Sequence, residues 1–408
     1  MFLGHGAIDR RERVAKDSAF GILEFEMIGR RILAMTLFIL WSCTSSQRSF
    51  SGKFQRDEIV DVMTAAAEWQ LRHPSKHPAY DWTQAPFYIG LSAFAPLSRD
   101  PNRYLLAVRR NGEENRWRPG LRPLYADDHA ITQSYFALHR AQPDPAIIEP
   151  SLRLFDQVML YPFDEPLDFD RGEKTWRQWT WCDALFMSPP AFAMAFRATG
   201  DHRYFDFMNK MWWKTTDYLY DKEEHLYYRD SRFFNQRAAN GRKVFWSRGN
   251  GWVLAGLARV LNEIPRDDPQ RDRYVVLFRE MAAKIATLQQ SDGYWRSSLL
   301  DPDGMPRPET SGTAFYVYAL ASGINQGLID RATYEPVLQR GWAALVRAMQ
   351  PDGMLGYVQR IGDRPGDTSA SSTEIYGVGA LLLAGSELYR IAARPSYTKE
   401  ANDTHMKE

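Results

Sequence analysis

Two hexapeptides, Gln290-Ser291-Asp292-Gly293-Tyr294-Trp295 and Gln350-Pro351-Asp352-Gly353-Met354-Leu355, repeat one pattern 60 residues apart. Each follows a stretch whose apolar residues have helical spacing, and each contains the Asp-Gly pair that is typical of a tight turn. A repeat of this length corresponds to two helices with their loops. The pattern therefore predicts a fold built from helical hairpins.

Further copies of the hairpin lie upstream and downstream of these turns. Six segments start with polar or glycine-rich residues and run into an apolar helix, with steps of about 45 to 66 residues. Six helix pairs between residues 54 and 395 predict an all-α fold, an (α/α)6 barrel with an inner and an outer ring of helices. An open α-solenoid is the alternative, but the uneven repeat and the long loops rich in Trp, Asp and Arg favour the closed barrel. The predicted inner helices begin near Gln84, His129, Ala184, Asn250, Gly312 and Tyr376.

Composition excludes several classes of function. The 51 basic and 50 acidic residues nearly cancel, so no electrostatic footprint for nucleic acid or an anionic membrane surface is present. Two cysteines are too few for a disulfide framework or a thiolate metal site. His73 and His77 have the spacing of zinc ligands on a helix, but the prolines at 74 and 78 indicate a loop. We therefore predict no metal and no cofactor, although composition leaves an all-carboxylate calcium site open.

The aromatic content is high, with 13 Trp, 20 Tyr and 22 Phe among 408 residues. Aromatic side chains offer large flat surfaces with a polar handle. In a soluble protein of neutral charge, this content is consistent with stacking on sugars. A large aromatic core explains it equally simply.

The N-terminus is typical of an export signal. Arg30 and Arg31 precede an apolar run over residues 32–40 that is too short to span a bilayer. Leu40-Trp41-Ser42-Cys43 then resembles a bacterial lipobox, with Cys43 as the lipidated residue. Residues 1–53 are predicted to be the signal and tether, with Met27 as a possible true start, and residues 396–408 to be a polar tail. We expect an exported bacterial protein, either periplasmic or anchored through lipid on Cys43; cleavage without lipidation is the alternative.

Polar residues collect at the predicted starts of the inner helices. They include Asp127-Asp128-His129, the stretch from Trp179 to Asp183, and the stretch from Trp246 to Trp252. If the inner helices run parallel, these groups share one face, where loose amides and helix dipoles favour an anion. Acids, an arginine and tryptophans in such a funnel indicate a site for an anionic sugar. The alternative for each aspartate is a helix cap, but the apolar surroundings of Asp183 are suited to raising the pKa of a general acid.

Three motifs carry a resemblance to a known family. Trp179-Thr180-Trp181-Cys182-Asp183-Ala184-Leu185-Phe186-Met187, Trp246-Ser247-Arg248-Gly249-Asn250-Gly251-Trp252 and Glu309-Thr310-Ser311-Gly312-Thr313-Ala314 resemble glycoside hydrolase family 105, the unsaturated rhamnogalacturonyl hydrolases. That family is related to the family 88 unsaturated glucuronyl hydrolases. The resemblance implies removal of a 4,5-unsaturated uronic acid, by default galacturonyl, from the non-reducing end of lyase-generated oligosaccharides by hydration of the double bond.

The resemblance also implies roles for individual residues. Asp183 matches the general acid/base, and the second functional aspartate falls in the Asp127-Asp128 pair, from which we take Asp128. Several members are expected to carry a histidine near the connection that here spans residues 226–232 and includes Arg229; the arginine-rich stretch in its place leaves the aglycone open. The predicted substrate-binding residues are Asp127, His129, Trp179, Trp181, Arg229, Trp246, Arg248, Asn250 and Trp252.

Two other classes of function remain open from sequence. A conventional inverting glycosidase or a sugar epimerase shares the barrel, although an epimerase is expected to need a histidine pair and only His129 is available in the funnel. A glycan-binding lipoprotein without catalysis is the third possibility.

Overall fold

The computed structural model describes residues 50–170 and 172–393. The predicted signal segment with Met27 and Cys43, and the predicted tail, lie outside the described residues. In chain order the helices are α1 (Arg56–Arg72), α2 (Ala85–Phe94), α3 (Pro101–Glu114), α4 (Thr132–Ala141), α5 (Pro145–Met159), α6 (Glu173–Arg177), α7 (Ala184–Met187), α8 (Pro189–Thr199), α9 (His202–Leu219), α10 (Ser247–Glu263), α11 (Arg271–Thr287), α12 (Thr310–Gln326), α13 (Arg331–Ala348) and α14 (Ile375–Ala392). Short 3-10 turns lie at Ala95–Leu97, Ala126–His129 and Ser231–Phe233, and two short antiparallel strands are β1 (Tyr220–Asp221) and β2 (Leu226–Tyr227).

Six of these helices form a closed inner ring. The order of packing is α2, α4, α8, α10, α12, α14 and back to α2. Each outer helix packs on one inner helix: α1 on α14, α3 on α2, α5 on α4, α9 on α8, α11 on α10 and α13 on α12. The predicted (α/α)6 barrel is confirmed, and five of the six inner helices start within three residues of their predicted positions. The third start is interrupted after one turn, because Pro189 and Pro190 end α7 and begin α8.

The two Asp-Gly turns, residues 290–295 and 350–355, have the same backbone geometry. In each, the N–H of the first residue donates to the carbonyl of the fifth, at 2.9 Å in the first turn and 2.7 Å in the second. The glycines have φ values of +89° and +99°, which side chains other than hydrogen rarely tolerate. The sequence repeat is therefore a repeat of structure.

These turns join neighbouring outer helices. A Cβ on Gly293 would lie 2.2 Å from the carbonyl oxygen of Arg340 on α13, and one on Gly353 would lie 2.6 Å from that of Ala65 on α1. The second turn follows α13, the last outer helix, so its contact with α1 closes the outer ring. Trp69 on α1 reinforces this closure, since its Nε1–H donates to Asp352 at 2.9 Å.

Replacing Gly353 with Ala is expected to lower the free energy of unfolding by about 3 kcal/mol, because the positive φ and the approach of a backbone carbonyl both oppose a Cβ. Urea unfolding followed by circular dichroism measures the change. Gly362→Ala is the matched control, since its Cβ would meet no atom closer than 3.8 Å, and it should change stability by less than about 0.5 kcal/mol. Equal effects of the two substitutions would contradict a closing role for the turn.

Candidate active site

The predicted polar residues meet at one end of the inner ring. Asp127 lies in the 3-10 turn before α4, Asp183 directly before α7, and Arg248 in the first turn of α10. Arg229 follows β2 and reaches the same place because its carbonyl accepts a hydrogen bond from the N–H of Cys182 at 2.9 Å. Helix starts and one strand end therefore bring these four side chains together.

Asp183 is a nearly buried carboxyl group whose side chain is 11% exposed. Its Oδ2 lies 3.5 Å from Arg229 Nε and accepts from the Cys182 thiol at 3.5 Å. Burial raises the pKa of Asp183, and the charges of Arg229 and Arg248 oppose that rise without cancelling it. A buried carboxyl group with a raised pKa is suited to general acid chemistry.

The structure places Asp127 next to Asp183, whereas the predicted Asp128 pairs with an arginine. Asp128 is committed to Arg122, whose Nη2 lies 2.6 Å from Oδ1 and whose backbone N–H donates to Oδ2 at 2.7 Å. Asp127 instead interacts with Asp183 and accepts a hydrogen bond from Tyr125, while its Oδ1 is buried and has no hydrogen-bond partner among the described residues. Asp127 and Asp128 are consecutive residues in a tight turn, so their side chains point in different directions.

Asp127 and Asp183 form a coupled pair. Burial, and next the charge of Asp183, raise the pKa of Asp127 from 3.8 to about 7. A negative charge on Asp183 thus disfavours a second negative charge on Asp127. The site therefore holds two neighbouring carboxyl groups whose pKa values are both raised.

Asp127 is expected to make the protein less stable as pH rises. Its folded pKa of about 7 exceeds its ordinary 3.8, so the stability that the protonated form contributes is lost between about pH 4 and pH 7. Wild type should lose about 2–3 kcal/mol more than Asp127→Asn between pH 5 and pH 8. Urea unfolding of both proteins at the two pH values measures the difference. Parallel pH profiles for the two proteins would contradict the assigned burial of this carboxyl group.

Arg229 belongs to a chain of alternating charges. Its Nη1 lies 2.7 Å from Oδ2 of the fully buried Asp230, which also pairs with Arg232 at 2.8 Å. Arg232 continues to Asp363 at 2.8 Å, and both guanidinium groups lie over the ring of Phe169. Arg229 Nε is buried and makes no hydrogen bond among the described residues. The network thus fixes the guanidinium next to Asp183 and leaves one donor available for a ligand.

Arg248 corrects a sequence-based expectation. It is fully buried, and its Nη1 and Nη2 donate to the carbonyls of Gln359 and Arg360 at 2.7 and 3.0 Å. Its guanidinium lies 4.4 Å from the ring centroid of Trp246, whose Nε1 donates to the Gln359 side chain at 2.8 Å. In this structure Arg248 and Trp246 therefore hold the loop that contains residues 359–362, rather than facing open space, and Arg248 acts on Asp183 through its charge.

Trp179 and His129 are placed in the aromatic core rather than on an open wall. Trp179 is 0% exposed and packs edge-on against Phe163 and Phe207. His129 Nε2 donates to the Pro123 carbonyl and its Nδ1 accepts from Ser188, both at 2.7 Å. Burial lowers the pKa of His129 to about 4, so it is a neutral structural histidine.

Trp252 and Asn250 also face inward. Trp252 is 1% exposed and packs on Phe186 and Phe315 of the inner ring. Asn250 joins α10 to β2, since its Nδ2 donates to the Tyr227 carbonyl at 3.0 Å and its Oδ1 accepts from the Tyr227 N–H at 2.7 Å. Both residues support the floor of the site in this structure.

Trp181 contacts Tyr125, a residue at the site that the sequence analysis did not select. It stacks on Tyr125 with centroids 5.1 Å apart and an interplanar angle of 29°. Tyr125 in turn donates to Asp127. Its place two residues before the aspartate was an available signal, but the irregular loop over residues 115–125 gave no periodicity with which to orient its ring.

Comparison with known proteins identifies the family. Residues 52–392 match the profile of Glycosyl Hydrolase Family 88. The chain belongs to glycosyl hydrolase family 88. The expected resemblance is thereby confirmed at the level of that family, and this family 88 protein is a glycoside hydrolase.

Several relatives of this family 88 chain have printed activities or solved structures. It is 39% identical to an unsaturated 3S-rhamnoglycuronyl hydrolase from Formosa agariphila, over 90% of this chain and 100% of the relative. It is 36% identical to an enzyme of the same name from Alteromonas sp., over 79% and 84% of the two chains. A family 88 structure from Bacteroides vulgatus superposes with a TM-score of 0.74 at 30% identity, covering 82% of this chain and 99% of that one.

Two searches of the described residues gave negative results. In residues 50–170 and 172–393, no three His, Cys, Asp or Glu side chains are grouped as ligands for a metal ion. The same residues contain no helix with the length and apolarity needed to cross a bilayer.

Proposed function

We propose that this enzyme removes a 4,5-unsaturated uronic acid from the non-reducing end of an oligosaccharide by hydrating the C4–C5 double bond. The observation that carries the proposal is the buried Asp127–Asp183 pair, with raised pKa values and the Nε of Arg229 beside it. Hydration needs one group that first donates and then accepts a proton. A cation next to that group suits the carboxylate that an unsaturated uronate carries at C5.

The reaction follows from the position of Asp183. Its proton goes to C4, which leaves a cation shared by C5 and the ring oxygen. Water adds at C5 and gives up a proton to the Asp183 carboxylate, which restores the acid. The resulting hemiketal opens to a C5 ketone, and the hemiacetal left at C1 releases the aglycone as an alcohol. One water is consumed, and neither oxidant nor cofactor is needed.

Asp127 and Arg229 assist the proton transfer from Asp183 to C4. The charge of Asp183 raises the pKa of Asp127, so Asp127 helps to keep a proton at the site. Its Oδ1, which has no hydrogen-bond partner among the described residues, can accept from a sugar hydroxyl. Arg229 Nε lies beside Asp183 Oδ2. From there its N–H can donate a hydrogen bond to the uronate carboxylate. Such a charge-assisted contact orients the vinyl ether towards the acid.

The names of the relatives support a narrower substrate. The Formosa agariphila and Alteromonas relatives are unsaturated 3S-rhamnoglycuronyl hydrolases, so we propose an unsaturated uronate linked to rhamnose for this chain as well. The arginine-rich stretch over residues 226–232, near which the resemblance led us to expect a histidine, is consistent with an aglycone other than that of the galacturonyl enzymes.

The test uses lyase-generated unsaturated disaccharides in D2O. Hydration removes the ultraviolet absorbance of the conjugated double bond and places one deuterium on C4 of the released uronate, which NMR detects. A conventional glycosidase would also cleave the corresponding saturated disaccharides, which have no double bond to hydrate. Unchanged oligosaccharide at high enzyme concentration would point to a binding protein.

We also propose that the protein is exported. The support is the sequence alone: Arg30-Arg31, the apolar run over residues 32–40 and the lipobox-like Leu40-Trp41-Ser42-Cys43. A Cys43→Ser variant expressed with the full chain should move from the membrane fraction to the soluble fraction. Identical fractionation of wild type and variant would count against the lipid anchor.

A further inference from the structure

Two neighbouring side chains approach the Asp183 carboxyl group at the same oxygen atom. The Cys182 thiol donates to Oδ2 at 3.5 Å, and Arg229 Nε lies 3.5 Å from that same oxygen. Within residues 50–170 and 172–393, no side chain donates a hydrogen bond to Oδ1. The two oxygens of the acid are therefore not equivalent, because Oδ2 is the one that faces a donor and a positive charge at close range.

The Cys182 thiol is buried, fixed in place and neutral. Its side chain is 0% exposed, and a Cβ on Gly249 in the first turn of α10 would lie only 3.2 Å from its Sγ. Glycine at this position therefore makes room for the sulfur atom. The Cys182 N–H donates to the Arg229 carbonyl at 2.9 Å, which fixes the backbone as well. Burial, and next the charge of Asp183, hold the pKa of the thiol well above its ordinary value, so the thiol keeps its hydrogen and acts as a donor.

These neighbours distinguish the two possible positions of the acidic proton. A protonated carboxyl group carries its hydrogen on one oxygen and accepts hydrogen bonds at the other. A hydrogen on Oδ2 would meet the positive charge of Arg229 and would compete with the S–H hydrogen of Cys182 for the same space. A hydrogen on Oδ1 avoids both conflicts and leaves Oδ2 as the acceptor.

We propose that the transferable proton of Asp183 resides on Oδ1, and that Cys182 is a positioning residue that keeps it there by donating its S–H to Oδ2. The inference rests on the proposed hydration reaction and adds the atom from which the proton leaves. When Oδ1 gives its proton to C4, the electron pair of the O–H bond stays on the carboxylate, and the S–H hydrogen bond stabilises the charge at Oδ2. The water that adds at C5 returns a proton to Oδ1, and the thiol is unchanged by the cycle.

Replacing Cys182 with Ala removes the donor and should lower kcat about fivefold. It should also shift the alkaline limb of the pH–activity profile, the range where activity falls because Asp183 loses its proton, to higher pH. Burial raises the pKa of Asp183 and the S–H hydrogen bond opposes that rise, so loss of the bond raises the pKa further. Cys182→Ser restores a donor and should return the limb to its wild-type position. The other charged groups that act on this acid or its thiol stay unchanged in both variants: Asp127, Arg229, Asp230 and Arg248.

Val260→Ala is the control for a cavity in the core. Val260 is fully buried and lies near the end of α10 that is far from Arg248. Its truncation should lower thermal stability without shifting the alkaline limb. A limb that is the same in wild type and Cys182→Ala, or that shifts equally in Val260→Ala, would overturn the positioning role.

Infrared spectroscopy of the S–H stretching band observes the thiol directly and needs no substrate. Cys43 is the only other cysteine of the sequence, so the full chain with Cys43→Ser has one thiol, whose band should disappear in Cys182→Ala. The band should shift to lower frequency as pH rises and Asp183 ionises, because the S–H then donates to a full negative charge. In Asp183→Asn the band should not shift with pH. A wild-type band that does not shift would show that the thiol is not the donor, and would overturn the inference.

The two measurements separate this inference from the proposed reaction. If the enzyme hydrates unsaturated disaccharides while the S–H band does not respond to the ionisation of Asp183, the positioning role fails and the reaction stands. If it hydrates no unsaturated disaccharide while the band shifts with pH in wild type and not in Asp183→Asn, the proposed reaction fails and the hydrogen bond from Cys182 to Oδ2 is retained.

Discussion

Asp183→Asn is expected to lower kcat by about 10³-fold or more on any unsaturated disaccharide that wild type hydrates. Asparagine has the shape of the carboxyl group but cannot deliver a proton to C4 or recover one from water. The fold should tolerate the change, because the Asp183 side chain does not cap α7. The measurement is the rate of absorbance loss at saturating substrate, together with circular dichroism and thermal unfolding of both proteins.

Asp201→Asn is the matched control for effects of an Asp→Asn substitution that do not depend on the site. Asp201 is also an aspartate before a helix, but it caps α9 through the Arg203 N–H at 3.0 Å and lies away from the site. Asp201→Asn should retain kcat within about twofold and keep the cap, because asparagine caps a helix about as well as aspartate does. If Asp183→Asn retained more than a few per cent of wild-type kcat, another group would have to supply the proton.

The barrel was predictable because its signals are local and repeated. Gly293 and Gly353 each require a positive φ, so the turn chemistry appears in the sequence as well as in the structure. Apolar spacing marked all six inner helices, since each must bury one face against two neighbours. Closure itself was inferred from the number of repeats, and the contact of Gly353 with α1 supplies its physical basis.

The orientation of individual side chains was less predictable. Asp127 and Asp128 are adjacent, and only the position of Arg122 shows which of them is neutralised. Trp179 and Trp181 lie two positions apart, yet one enters the core and the other stacks on Tyr125. Trp179 has a φ of +57°, a conformation that neither propensity nor periodicity reveals. Loops fixed by tertiary contacts therefore set the limit of the sequence analysis.

Arg229→Met is expected to lower kcat/KM by about 10²-fold, because it removes the cation beside Asp183 and the donor proposed for the uronate. It should also shift the alkaline limb of the pH–activity profile, which is the range where activity falls because Asp183 loses its proton. Asp127, Cys182, Arg229 and Arg248 are the charged or titratable groups that act on Asp183. Loss of the Arg229 charge raises the pKa of the acid, so the variant should keep its remaining activity to higher pH than wild type.

Asp230→Asn changes the electrostatic field at Asp183 in the opposite direction. Asp230 is fully buried between Arg229 and Arg232, so removing its charge leaves the field at Asp183 more positive. The pKa of Asp183 should then fall, and the alkaline limb should move to lower pH. A buried pair broken in this way also costs about 3–5 kcal/mol of stability, so profiles are recorded well below the unfolding temperature of each variant.

Opposite shifts from neighbouring residues separate an electrostatic role from a structural one. General loosening of the site would lower activity in both variants without moving the limb in two directions. Arg229→Lys keeps the charge on a different shape, so it should retain the wild-type limb while kcat/KM stays reduced. Shifts of the same sign in Arg229→Met and Asp230→Asn would show that the Asp183–Arg229–Asp230 chain does not set the pKa of the acid, and that Arg229 serves the reaction through substrate binding alone.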